Sequence, residues 1–112
     1  MGFLFHLILC AFISLSVASG VDYNIDIKPI LSDRCFHCHG NDAGKRKAKL
    51  RLDTAAGARE VIASGEFLAR LTSDDPDEHM PPADSKLSVS REEINLLRQW
   101  VKEGAGYRKH WS

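Results

Sequence analysis

Cysteine is scarce in this chain: there are three in 112 residues, and Cys10 lies in an apolar stretch far from the other two. Cys35 and Cys38 alone cannot supply the several disulfides of a small stapled scaffold. Nor do they make a Cys-rich zinc site, which needs a second ligand pair at similar spacing. Residues 1–20 contain no Lys, Arg, Asp or Glu, and the whole chain has a net charge of zero. There is thus no basic balance of the kind that accompanies nucleic-acid binding. No apolar run reaches the ~20 residues that cross a bilayer; Phe3 to Val17 is shorter and carries Ser14 and Ser16. Methionine is equally sparse, with two in the chain. Met1 is the initiator, so Met80 is the one thioether left in the body of the protein. Internal repeats and low-complexity segments are also missing.

The uncharged leader has a positive meaning. An apolar stretch followed by the small residues Val17-Ala18-Ser19-Gly20 fits a cleaved secretory signal over residues 1–20, although its first residues offer only the amino terminus and His6 as positive groups. Leu7-Ile8-Leu9-Cys10 resembles a lipoprotein box only faintly, since a bulky Leu9 precedes the cysteine. The expectation is export to the periplasm or another extracytoplasmic space, with no stable membrane insertion after cleavage. A remaining domain of about 90 residues buries a modest core and has no disulfide to strengthen it. A large apolar cofactor at its centre would supply the missing interior.

Cys35-Phe36-His37-Cys38-His39 names that cofactor. C-x-x-C-H is the attachment signature of a c-type haem. On a helical turn the two thiols point the same way and can each form a thioether with a haem vinyl group, while His39 binds the iron from one side. A thioredoxin-like dithiol expects a strand before the motif, and no strong strand precedes Cys35. One covalently attached haem c is therefore expected.

The local pattern is helical. A helix is expected to start near Asn24 or Asp26, either of which can cap it, with Pro29 in the first turn where its missing N–H breaks no bond. Ile27, Ile30 and Leu31 form its apolar face. Gly40 to Gly44 should end that element, and Leu50-Arg51-Leu52 reads as a brief extended piece. Thr54 is placed to cap a weak helix interrupted by Gly57, and Phe67, Leu68 and Leu71 mark another short one. Residues 72–88, with Pro76, Pro81 and Pro82, read as loop. The last helix opens on the capping box Ser90-x-x-Glu93, carries Ile94, Leu97, Trp100 and Val101 at helical spacing, and stops before Gly104.

The second axial position has several candidates: Met80, His79, His6, His37 and His110. Met80 is best placed, in a Pro-bounded loop stiffened by Pro81 and Pro82, and Met/His ligation is the coordination of electron-carrying cytochromes c. His79 is the runner-up and would give a bis-histidine haem. His37 lies within the attachment loop and should point away from the iron, His6 leaves with the leader, and His110 lies in a tail.

These residues carry a resemblance. Asp26-x-Lys28-Pro29-Ile30-Leu31-Ser32-x-x-Cys35-Phe36-x-Cys38-His39-Gly40 resembles the start of the planctomycete-type cytochrome c domain. Leu50-Arg51-Leu52-Asp53, the stretch from Ser73 through Met80-Pro81-Pro82, and Leu96-Leu97-x-x-Trp100-Val101-x-x-Gly104-Ala105 follow in the family's order. The resemblance implies a small all-α, class-I-like cytochrome c fold over residues 21–107, thioethers at Cys35 and Cys38, proximal ligation by His39 and distal ligation by Met80. In this family the module usually opens a much longer protein, and residues 108–112 are either a tail or the start of such a downstream region.

The resulting expectation is a one-electron carrier with redox proteins as partners, not an enzyme, because an iron with both axial positions filled has no open site for substrate. The alternatives are a haem-containing module of a larger enzyme and a haem-based sensor. Two charge runs accompany the motif, basic over Lys45, Arg46, Lys47, Lys49 and Arg51, and acidic over Asp74, Asp75, Asp77 and Glu78. They read either as solvated loops or as docking surfaces, the acidic run beside Met80 favouring a basic partner.

Overall fold

The computed structural model describes residues 20–108. The expected leader, apart from Gly20, lies outside those residues, as do His6, His110 and the last residues of the tail. Among the described residues there is no β-strand, and four α-helices carry the fold: α1 (Lys28–Arg34), α2 (Ala55–Ala63), α3 (Glu66–Leu71) and α4 (Arg91–Lys102). The all-α architecture expected from the sequence is the one observed.

The chain turns helical earlier than the sequence indicated. Asp22, not Asn24 or Asp26, is the cap: its carboxylate accepts the Ile25 N–H at 3.1 Å, and Asp26 returns the bond by accepting the Asp22 N–H at 2.8 Å. This reciprocal pair satisfies two amides that a helix start leaves free. A wide turn over Tyr23–Ile27 then runs directly into α1, with Pro29 in the first turn of that helix. Ile27, Ile30 and Leu31 are buried, as the helical spacing required.

Thr54 caps α2 by accepting the Gly57 N–H at 3.0 Å, and Gly57 does not interrupt the helix. It is a point of close approach, where a Cβ would lie 2.7 Å from both the Cβ and the carbonyl oxygen of Arg51. Leu52 is buried, so this crowding holds the 50–53 segment against the helix. A left-handed Gly65 (φ +87°) separates α2 from α3, a backbone state glycine adopts at no steric cost. Phe67 and Leu71 of α3 face inward.

The capping box of α4 is complete: the Ser90 hydroxyl accepts the Glu93 N–H at 3.1 Å, and Glu93 Oε1 accepts the Ser90 N–H at 2.9 Å. Leu97 and Trp100 bury its apolar face. Gly104 follows the helix with φ +108°, the left-handed stop its position foretold. Trp100 organises the core. Its ring stands 5.9 Å from Tyr23, 5.3 Å from Tyr107 and 6.3 Å from Phe67, the last edge-on. Its indole N–H donates to the Gly106 carbonyl at 3.0 Å. Truncating such a residue to Ala removes about 3–5 kcal/mol, more than a domain of this size can lose safely.

Candidate haem site

Cys35 caps the C-terminal end of α1, donating its N–H to the Leu31 carbonyl at 2.8 Å. One further turn is closed by the Cys35 carbonyl, which accepts from Cys38 N–H at 3.2 Å and from His39 N–H at 2.8 Å. The cysteines and the histidine therefore hang on a single turn. Both thiols are free and half-buried. Gly40 closes the turn and is buried. A Cβ there would sit 2.3 Å from the Phe36 carbonyl oxygen, a distance no side chain tolerates, so the turn can be this tight only with glycine.

The basic run is built onto this turn. Lys47 N–H donates to the Cys38 carbonyl at 2.7 Å, and Arg46 Nε donates to the Gly40 carbonyl at 2.9 Å. Leu52 N–H donates to the His39 carbonyl at 2.7 Å. Segment 47–52 thus straps the back of the attachment turn. Leu50 to Leu52 is irregular and pairs with no strand, but Leu52 packs in the core as an inward residue should.

The chemistry of these donors separates the candidate cofactors. Burial pushes the Cys35 thiol up to about 11, with the neighbouring Arg34 charge pulling the other way and Cys38 adding to the rise. A redox-active or zinc-binding cysteine needs the opposite shift, toward thiolate. Among the described residues no three His, Cys, Asp or Glu side chains converge to hold a metal ion. Burial likewise pushes His39 below its usual value, against an upward pull from the Lys47 and Leu50 backbone. The ring is therefore neutral at pH 7 and has a lone pair to give. Its Nδ1 is buried and makes no hydrogen bond of good geometry; with that nitrogen turned into the protein, Nε2 is the one left for a metal. Two free thiols and a neutral imidazole on one turn fit a covalently held haem.

Met80 comes from a separate loop. Its N–H donates to the Arg70 carbonyl at 3.0 Å, which ties the loop to the last turn of α3. Its side chain is half-buried, and Pro81 beside it is buried. The preceding acidic run closes on itself: Asp75 N–H donates to Ser73 Oγ at 3.1 Å, Asp77 N–H to Asp75 Oδ1 at 2.9 Å, and the Glu78 and His79 amides both donate to the Asp75 carbonyl at 2.9 Å. His79 Nδ1 lies 3.0 Å from the Ser73 carbonyl oxygen, so that ring nitrogen is engaged within its own loop. His37 is exposed.

Residues 35–84, from the first attachment cysteine through the Met80 loop, match the family model of planctomycete cytochrome C. Over those residues the chain is similar to the planctomycete-type cytochrome c domain. No curated protein and no solved structure matches the chain. The match supports a c-type cytochrome, a family that implies covalently bound haem c, electron transfer and redox partners. No helix of the described residues is long and apolar enough to cross a membrane.

The sequence did not single out Gly40, Arg34, Arg46 or Tyr107 for the site. Gly40 could have been noticed, since it directly follows the histidine. Arg34 and Tyr107 act through contacts with chain distant in sequence and left no local signal, while Arg46 reaches the Gly40 carbonyl from the basic run.

Proposed function

We propose that this cytochrome is an exported mono-haem electron carrier, with thioethers at Cys35 and Cys38 and axial ligation by His39 and Met80. The observation that carries this reading is the single turn that presents Cys35, Cys38 and a neutral His39 with its Nδ1 buried. The haem supplies reversible one-electron Fe(III)/Fe(II) chemistry when bound. The chain holds it at two sulfurs, so that it cannot dissociate, and gives the iron a nitrogen donor from the strapped turn. Met80 is the single thioether of the domain, on a loop anchored to α3 at Arg70; a thioether is a weak ligand and needs a backbone held in place. Filling both axial positions leaves no site for substrate, which separates a carrier from a haem enzyme or gas sensor. Residues 1–20 serve as the cleaved export signal, which places the domain, residues 21–107, in the periplasm or another extracytoplasmic space where haem c is attached.

The test is carbon monoxide binding to the reduced, purified holoprotein. A carrier with Met80 on the iron binds the gas slowly and incompletely. Rapid, stoichiometric binding at neutral pH would instead assign an open distal position and an enzymatic or sensing role.

A further inference from the structure

The end of the domain is hydrogen-bonded to the back of the attachment turn through one residue. Tyr107 O–H donates to the Leu52 carbonyl at 2.7 Å, and Leu52 N–H donates to the His39 carbonyl at 2.7 Å. The strap that Leu52 terminates is fixed at its other end by Lys47 N–H on the Cys38 carbonyl, and in between by Leu50 N–H on the Lys47 carbonyl at 3.1 Å. The strap thus holds the carbonyls of Cys38 and His39, the backbone from which the His39 ring hangs. Whatever sets the strap sets the backbone of His39, and the groups behind a ligating histidine orient its ring.

Tyr107 is well built to do this. Its ring lies 4.7 Å from that of Tyr23 and 5.3 Å from that of Trp100, so the hydroxyl is aimed by rigid aromatic packing. Burial, with Tyr23, Asp53 and Cys35 adding in that order, raises its ionisation far above neutral pH, which keeps the O–H a donor.

We propose that Tyr107 is a positioning residue for the proximal ligand: its hydroxyl clamps the 47–52 strap against the attachment turn and so fixes the orientation of the His39 ring. This rests on the reading of His39 as the iron ligand. Tyr107 lies beyond the residues that match the family model, so the clamp is a contribution of the chain outside that span.

The experiment compares holoprotein with Tyr107 intact and with Tyr107→Phe, which keeps the ring and removes the donor. Two readouts are needed. Amide hydrogen exchange at Leu52 should accelerate on the order of tenfold in the variant, because its N–H bond to the His39 carbonyl opens more often once the clamp on the Leu52 carbonyl is gone. The paramagnetically shifted haem-methyl resonances of the ferric protein, which report the orientation of the axial imidazole, should change their spread. Unchanged exchange and unchanged methyl shifts in Tyr107→Phe, with disturbance only in Tyr107→Leu, would overturn the proposal in favour of packing alone. Should Tyr107→Phe not fold, site-specific 3-fluorotyrosine at position 107 makes the hydroxyl a stronger donor in the same packing; methyl shifts identical to wild type would then overturn it. Failure of the underlying haem reading shows separately, as wild-type protein without covalent haem, whereas Leu52 exchange is readable whatever binds the iron.

Discussion

Arg34 Nη2 reaches both carboxylate oxygens of Glu93, at 3.1 and 2.9 Å. Arg34 is the residue immediately before Cys35, and Glu93 belongs to the capping box of α4, so this pair joins the attachment turn to the last helix. Arg34 Nε also donates to the Ser88 carbonyl at 3.0 Å. One guanidinium therefore holds the start of α4 at two points. The side chains are only 21% and 25% exposed, which lifts the pair above an ordinary surface contact.

A double-mutant cycle with Arg34→Met and Glu93→Gln should give a coupling of about 1 kcal/mol by denaturant unfolding. The pH dependence has a definite sign. Acceptance of the Ser90 N–H, aided by Arg34, holds the Glu93 carboxyl below its ordinary 4.5. Its contribution is complete above pH 4.5 and is lost as pH falls through the depressed folded value. Glu93→Gln should flatten the acid limb of the stability curve; an unaltered limb would count against the pair.

Covalent haem is checked by denaturing gel electrophoresis and haem staining. Colour should stay on the wild-type band and vanish from Cys35→Ala/Cys38→Ala. Release of haem into acidic acetone from wild type would contradict the thioether assignment. The double variant should also be much less stable, because a domain of this size has little other interior.

Met80→Ala should abolish the weak far-red absorption band of thioether-ligated ferric haem and open the iron to carbon monoxide, with a lower reduction potential. His79→Ala should leave band and gas binding as in wild type, since on this reading Met80 and not His79 is the distal ligand. The reverse pattern would make His79 the distal ligand.

Gly40→Ala should be as damaging as loss of a cysteine. The added Cβ meets backbone, the Phe36 carbonyl oxygen, at 2.3 Å, and backbone in a hydrogen-bonded turn has little room to yield. A stability loss of ~2 kcal/mol or more and a fall in haemylated yield are expected, read by thermal melts and haem staining. Gly106→Ala, where a Cβ meets nothing within 4 Å, is the matched control.

Partner choice follows the placement of charge. The basic run lies against the attachment turn through Lys47 and Arg46, while the acidic run before Met80 is closed by its own hydrogen bonds. Both runs thus adjoin site residues. Electron exchange with small cationic and anionic reagents, followed against salt, separates the faces. Faster exchange with cationic reagents, fading as salt rises, supports an acidic docking face; the opposite preference moves docking to Lys45, Lys47 and Lys49. Equal rates at low salt leave both runs as solvated loops.

What the sequence determined by itself was local. Cysteines three apart and an adjoining histidine specify a turn and its chemistry whatever surrounds them. Ser90 with Glu93, Thr54 before α2, and Gly104 after α4 mark their helix ends because each acts on backbone within four residues. The start of the first helical segment was misplaced because Asp22, Asn24 and Asp26 are all competent caps, and the reciprocal bonds of Asp22 and Asp26 decided between them. Gly57 looked like a helix breaker, since propensity is all a sequence shows; the close approach of Arg51 that requires it is a tertiary contact. Tertiary structure alone placed Arg34 on Glu93, seated the basic run on the attachment turn and brought Tyr107 to Leu52. The first and last of these join groups more than fifty residues apart, and no local pattern encodes which distant partner a side chain will meet.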